Sequence, residues 1–107
     1  MVLPSLIEKI VSRIAEKYHP RRILLFGSCA QGDARPDSDI DLFVEMDTPL
    51  SPPERTMAID RLFGLRDWAM DVVVYTPEEV SRLRGVHGTL LSIIEATGKV
   101  LYAKPGQ

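Results

Sequence analysis

The stretch Ile23-Leu24-Leu25-Phe26-Gly27-Ser28-Cys29-Ala30-Gln31-Gly32-Asp33-Ala34-Arg35-Pro36-Asp37-Ser38-Asp39-Ile40-Asp41-Leu42-Phe43-Val44 decides how the chain is read. Ile23 to Phe26 is apolar throughout and too short for a helix, which suits a strand covered on both faces. Gly27 to Ser38 is small, polar and turn-forming, with room for a short helical turn from Ser28 to Gly32. Ile40 to Met46 reads as a second strand. Side chains alternate along a strand, so Asp39, Asp41, Phe43 and Glu45 share one face and Ile40, Leu42, Val44 and Met46 the other. The second set is expected to face the core.

Asp39 and Asp41 are two carboxylates at i and i+2, and side by side they repel unless a cation neutralises them. Mg²⁺ prefers carboxylate oxygens together with substrate phosphates. Asp71 opens a third apolar run, Met70 to Tyr75. If that strand neighbours the second, a third carboxylate reaches the same place, as a two-metal phosphoryl-transfer site requires. Gly27 lets backbone approach a phosphate closely, and Ser28 adds a hydroxyl donor at the start of a turn. Each piece alone has a bland explanation in turns, caps and solvated acids. Together, with ten residues between Ser28 and Asp39, they are far more specific.

Working outward, Leu6, Ile7, Ile10, Val11, Ile14 and Tyr18 recur at helical spacing behind a possible capping box, Ser5 to Glu8. His19-Pro20 ends that helix. Ser51-Pro52-Pro53-Glu54 caps a second helix reaching to about Leu65, with Met57, Ala58, Leu62 and Leu65 inward and Ile59 and Phe63 beside them. Thr76 to Glu79 caps a third helix to about Arg84. A fourth runs from about Thr89 to Ala96 and ends at Gly98, read as a left-handed C′ residue. Lys99 to Tyr102 is a candidate edge strand. Trp68 reads as a core or interface aromatic, and Arg21, Arg22, Arg82 and Arg84 as solvated charges.

The 107 residues suffice for one core, so residues 1–107 are taken as a single domain. A formal charge of −2 argues against coating nucleic acid by charge, so no direct nucleic-acid binding is expected. The lone Cys29 excludes an internal disulfide and fits a reducing compartment. No apolar run approaches membrane length and no leader-like segment opens the chain. A cytoplasmic protein without membrane attachment is expected.

Gly27-Ser28, ten residues, then Asp39-Ile40-Asp41 resembles the signature of the nucleotidyltransferase fold shared with DNA polymerase β. The likeness spans roughly Ile7 to Tyr102 and looks like a minimal domain of that superfamily. It implies an α+β fold, a small mixed sheet flanked by helices. It also implies that Gly27 and Ser28 bind the triphosphate of ATP, and that Asp39 and Asp41 ligate two Mg²⁺ ions. Asp71 would ligate the catalytic ion and help deprotonate the acceptor hydroxyl. The family often has arginine where this chain has Gln31, which removes a positive charge from the phosphate turn; Arg35 is a possible substitute.

Minimal domains of this type commonly accompany a partner with a HEPN domain, an all-helical RNase toxin. The resemblance therefore implies an antitoxin that transfers AMP from ATP onto a toxin hydroxyl, typically a tyrosine. Two alternatives are a non-catalytic antitoxin acting by contact, and one subunit of a split small-molecule nucleotidyltransferase. A calcium loop from Asp37 fails, because Leu42 stands at the sharp-turn glycine and Thr48 at the bidentate glutamate. The haloacid-dehalogenase pattern fails at Phe43. Cys29 has no paired histidine in sequence and reads as a small buried thiol.

Overall fold

The computed structural model describes residues 4–27, 30, 39–66 and 68–104. Its elements run α1 (Pro4–Tyr18), β1 (Arg22–Phe26), β2 (Ile40–Glu45), α2 (Pro52–Asp60), β3 (Met70–Tyr75), α3 (Pro77–Leu83), α4 (Leu90–Thr97) and β4 (Lys99–Ala103). The strands form one sheet in the order β3-β2-β1-β4. β1 pairs antiparallel with β2 and β4, whereas β2 and β3 run parallel. Parallel neighbours need a crossover, and α2 lies within it. The expected α+β class, a small mixed sheet flanked by helices, is the architecture found.

Helix α1 ends as anticipated. His19 adopts φ 49°, and its amide donates to the Ala15 carbonyl at 3.0 Å, after which Pro20 cannot continue the helix. Its start differs from expectation: the helix already includes Pro4, so Ser5 lies inside it and is not the cap. At α3 the capping box is complete, since Glu79 N–H donates to Thr76 Oγ1 at 3.2 Å and Thr76 N–H to Glu79 Oε1 at 2.9 Å. Gly98 caps α4 with an extended backbone, φ −76°, not the left-handed conformation expected of it. Its lack of a side chain matters for another reason: a Cβ there would press on the carbonyl oxygens of Ile94 and Leu25.

Alternation along the strands builds two cores. One joins Ile10, Val11 and Ile14 of α1 and Ile59 of α2 to Ile23, Leu25, Ile40, Leu42, Val44, Val72 and Val74. The other joins Val80 of α3 and Leu91 and Ile94 of α4 to Leu24 and Phe43 on the opposite face. The reading of that second face as non-core is therefore corrected. Phe43 is fully buried, edge-on to Tyr75 with ring centroids 5.6 Å apart. Glu45 is also buried, receiving Arg22 Nε at 2.6 Å. Arg22 continues to Glu95 at 2.8 Å, so it is a structural link and not a freely solvated charge.

Helix α2 is shorter than its apolar pattern suggested and turned differently. It stops at Asp60; Met57 and Leu65 face solvent, and Ile59 and Arg55 are the buried side chains. Arg55 explains the rotation. Its Nη1 donates to the Val74 carbonyl at 3.2 Å and to Glu79 Oε1 at 2.8 Å, and its Nε donates to Leu50 at 2.8 Å. Thr56 Oγ1 donates to the Val72 carbonyl at 3.1 Å. Val72 and Val74 present these carbonyls on the outer edge of β3, where none of the described strands pairs, so α2 seals an edge that otherwise invites strand addition.

Replacing Phe43 by alanine removes a ring from a closed core and is expected to cost about 3–5 kcal/mol of unfolding free energy in denaturant titrations. A cost below about 0.5 kcal/mol, typical of surface positions, would contradict the two-sided core.

Candidate active site

The register of β2 on β3 pairs Asp41 with Asp71, and that of β1 on β2 pairs Asp41 with Phe26. Residues directly paired across neighbouring strands point to the same face, about 4.8 Å apart along the hydrogen-bonding direction. Asp41 and Asp71 therefore project side by side from the face that α3 and α4 cover further along. One step up the strands, Leu24 and Phe43 lie beneath those helices; at the level of the aspartates no described helix covers the face. Asp71 is exposed and Asp41 half-buried. Asp39 precedes β2 and is exposed. The adjoining Ile40 amide donates to the Ala69 carbonyl at 2.9 Å, which extends the β2–β3 pairing to the mouth of the site.

Electrostatics agree with this placement. The Asp41 carboxyl is held above the ordinary aspartate range, first by burial, then by the charge of Asp71, then by that of Asp39. Among the described residues, no three histidine, cysteine, aspartate or glutamate side chains form a ready metal cage. The unit observed is an Asp41–Asp71 pair with Asp39 near enough to be felt. Mg²⁺ commonly takes one or two carboxylates and completes its shell with water and substrate phosphate, so this hard-oxygen donor set fits it. Asp41 and Asp71 are the residues placed to hold such an ion, with Asp39 at the rim.

Gly27 follows β1 directly. Its φ of 73° lies in the left-handed region, and a Cβ there would overlap Asp41 Oδ2 and approach Cγ at 3.2 Å. Only glycine lets the turn pass that close to the carboxylate. The Ala30 amide donates to the Gly27 carbonyl at 3.1 Å, so a turn does begin here. Ser28, Cys29, Gln31 and Arg35, and most of the expected helical turn, lie outside the described residues.

A cleft of about 450 Å³ between α2, β3 and α3, lined by Arg55, Tyr75, Glu79 and Arg82, lies toward the other end of β3 from Asp71. It is separate from the carboxylates. Arg55 and Thr56 went unnoticed in the sequence because a polar residue on a short helix looks solvated until the neighbouring strand edge is known. Trp68 is half-buried as expected, edge-on to Phe63 at 6.3 Å.

The family model for the nucleotidyltransferase domain matches residues 7–105. The chain belongs to that family. No curated protein matches it. Among solved structures, a candidate nucleotidyltransferase from Sulfolobus solfataricus superposes with a TM-score of 0.64 at 20% identity, covering 94% of this chain and 79% of that one. A chain of a toxin–antitoxin structure containing AMP-PNP superposes with a TM-score of 0.60 at 24% identity, covering 92% and 74%. At these identities the two structures support the fold of this nucleotidyltransferase domain. No described helix is long and apolar enough to cross a membrane.

Two outcomes test the site's geometry. Because the folded state retains a proton on Asp41 where the unfolded chain has lost it, stability conferred at low pH falls as pH rises through that window. Asp41→Asn is expected to raise the melting temperature at neutral pH in chelator and to flatten that slope; an unchanged or lower melting temperature would mean that Asp41 is not repelled by its neighbours. Gly27→Ala combines left-handed strain with the Asp41 overlap and is expected to cost at least about 1–2 kcal/mol in chemical denaturation. A neutral result would contradict the close turn.

Proposed function

We propose that this nucleotidyltransferase domain transfers AMP from ATP onto a hydroxyl, typically a tyrosine, of a partner HEPN RNase toxin, and thereby acts as its antitoxin. The observation that carries the reading is the Asp41↔Asp71 register, beside a glycine turn that only a residue without a Cβ can make. Membership of the family supplies the reaction class. The toxin–antitoxin neighbour with AMP-PNP supports a protein partner and an adenine nucleotide.

In this reading Asp39, Asp41 and Asp71 hold the metal ions, and Gly27 and Ser28 receive the triphosphate. When bound, Mg²⁺ neutralises phosphate charge and lowers the cost of forming the attacking alkoxide. The chain's own residues do the rest. The Gly27 bend lets backbone approach the phosphates, and Asp41 and Asp71, which repel phosphate by themselves, would act on it only through the cation they hold. Asp71, the more exposed of the pair, accepts the acceptor's proton as its oxygen bonds to the α-phosphorus. The bond between the α-phosphorus and the bridging oxygen breaks, and pyrophosphate leaves.

Incubation with ATP, Mg²⁺ and the product of the neighbouring gene is expected to add the mass of AMP to that product. Asp41→Asn and Asp71→Asn should each lower the rate at least about 100-fold, since even outer-shell changes at metal sites cost 10–100-fold. No transfer by the wild type, or equal transfer by the variants, would overturn the reading. Toxin neutralisation that survives Asp39→Ala with Asp41→Ala would assign the antitoxin effect to contact alone.

A further inference from the structure

Arg55 is only 7% exposed, yet its role as a latch between α2 and β3 accounts for part of its guanidinium and no more. Nε donates to the Leu50 carbonyl, and Nη1 donates to both the Val74 carbonyl and Glu79 Oε1. Nη2 takes none of these bonds and is not sealed off from solvent. Its two N–H groups are left for whatever fills the cleft between α2, β3 and α3 that Arg55 lines. Three hydrogen bonds fix the rest of the side chain, so this donor is ordered in advance and binding costs it little entropy.

The cleft, about 450 Å³, has the size of a small-molecule site, roughly 300–1,000 Å³. Val74, Tyr75 and Leu83 give it apolar walls, with Pro52 at the start of α2. Two further charged side chains line it. Glu79 is already committed, since its Oε1 receives Arg55 Nη1 at 2.8 Å and the Thr76 amide at 2.9 Å. Arg82 is exposed on α3 and has no ion-pair partner among the described residues. Arg55 and Glu79 offset each other, which leaves the cleft with one uncompensated positive charge.

We propose that this cleft binds a small monocarboxylate with an apolar body, its carboxylate between Arg55 Nη2 and Arg82 and its body against Val74, Tyr75 and Leu83. Guanidinium donors make their stronger bonds to an ionised acceptor of this kind. One negative charge matches the balance of the cleft. A polyphosphate carries more charge than Arg82 offsets, has no apolar body for the walls, and would meet Glu79. The cleft lies toward the end of β3 away from Asp71, so it is a second site and not an extension of the carboxylate pair. The inference goes beyond the proposed transfer reaction and does not rest on it. A ligand held by both arginines adds a link between α2 and α3 to the one that Arg55 and Glu79 already make.

The test is an NMR titration of the full isotope-labelled chain, in buffer free of carboxylate and phosphate. The probes are phenylpropionate, its uncharged amide, acetate, pyrophosphate, and a short peptide ending in phenylalanine with a free C-terminus. Phenylpropionate is expected to shift Val74, Tyr75 and Leu83 with a Kd of about 1 mM or tighter. The amide lacks the charge and acetate lacks the body, so each should bind at least about tenfold more weakly. Arg82→Glu opposes the anion and should also weaken phenylpropionate at least about tenfold. Should that variant fold poorly, Arg82→Gln is expected to weaken it at least about threefold. Asp41→Asn should bind phenylpropionate like the wild type, so a failure of the transfer reaction leaves this site standing. Absent shifts, shifts centred on Gly27, Asp41 and Asp71, equal binding of acid and amide, or preference for pyrophosphate would each overturn the proposal. Tighter binding of the peptide than of the free acid would assign the cleft to a protein terminus and overturn it as well.

Discussion

Parallel pairing of β2 with β3 is the constraint from which the rest follows. In the register found, Asp41 stands beside Asp71 and the two carboxylates repel. A one-residue slip of β3 would send Asp71 into the apolar layer under α1 and α2 and take Val72 and Val74 out of it; a slip of β2 would do the same with Asp41 and with Ile40, Leu42 and Val44. The core that stabilises the sheet thus also forces the two anions together. Stability and the unfavourable charge contact cannot be separated by sliding a strand.

Several devices hold that register. The two cores grip β2 from both sides, so Phe43 and Leu42 cannot exchange places. Arg55 and Thr56 fasten the outer edge of β3 to α2, and Glu79 links Arg55 to the cap of α3. Arg22, Glu45 and Glu95 close the opposite end of the α4-covered face. Among the described residues these contacts concentrate away from the carboxylates.

Much of the framework was legible in the sequence. Apolar runs at Ile23–Phe26, Ile40–Met46 and Met70–Tyr75 became β1, β2 and β3, because buried strands leave a plain compositional trace. Thr76 to Glu79 and His19-Pro20 marked helix ends through local chemistry alone. The Asp41–Asp71 pairing could be stated only conditionally, since strand order is a non-local property. The inward face of α2 was misread because Arg55 is buried for hydrogen bonds that exist only once β3 and α3 are in place. Cover on both faces was expected of Ile23–Phe26 but not of β2, because Phe43 shares a strand face with acids, and the alternation rule does not reveal that a helix covers only part of that face.

The central claim is that the carboxylates facing each other across β2 and β3 form a cation site for a nucleotide. Anomalous diffraction from crystals grown with Mn²⁺ and a non-hydrolysable ATP analogue tests it most directly. The account predicts a manganese peak bridging Asp41 and Asp71, with the analogue's phosphates against the Gly27 turn. Nucleotide bound elsewhere, or no metal between those two side chains, would contradict it.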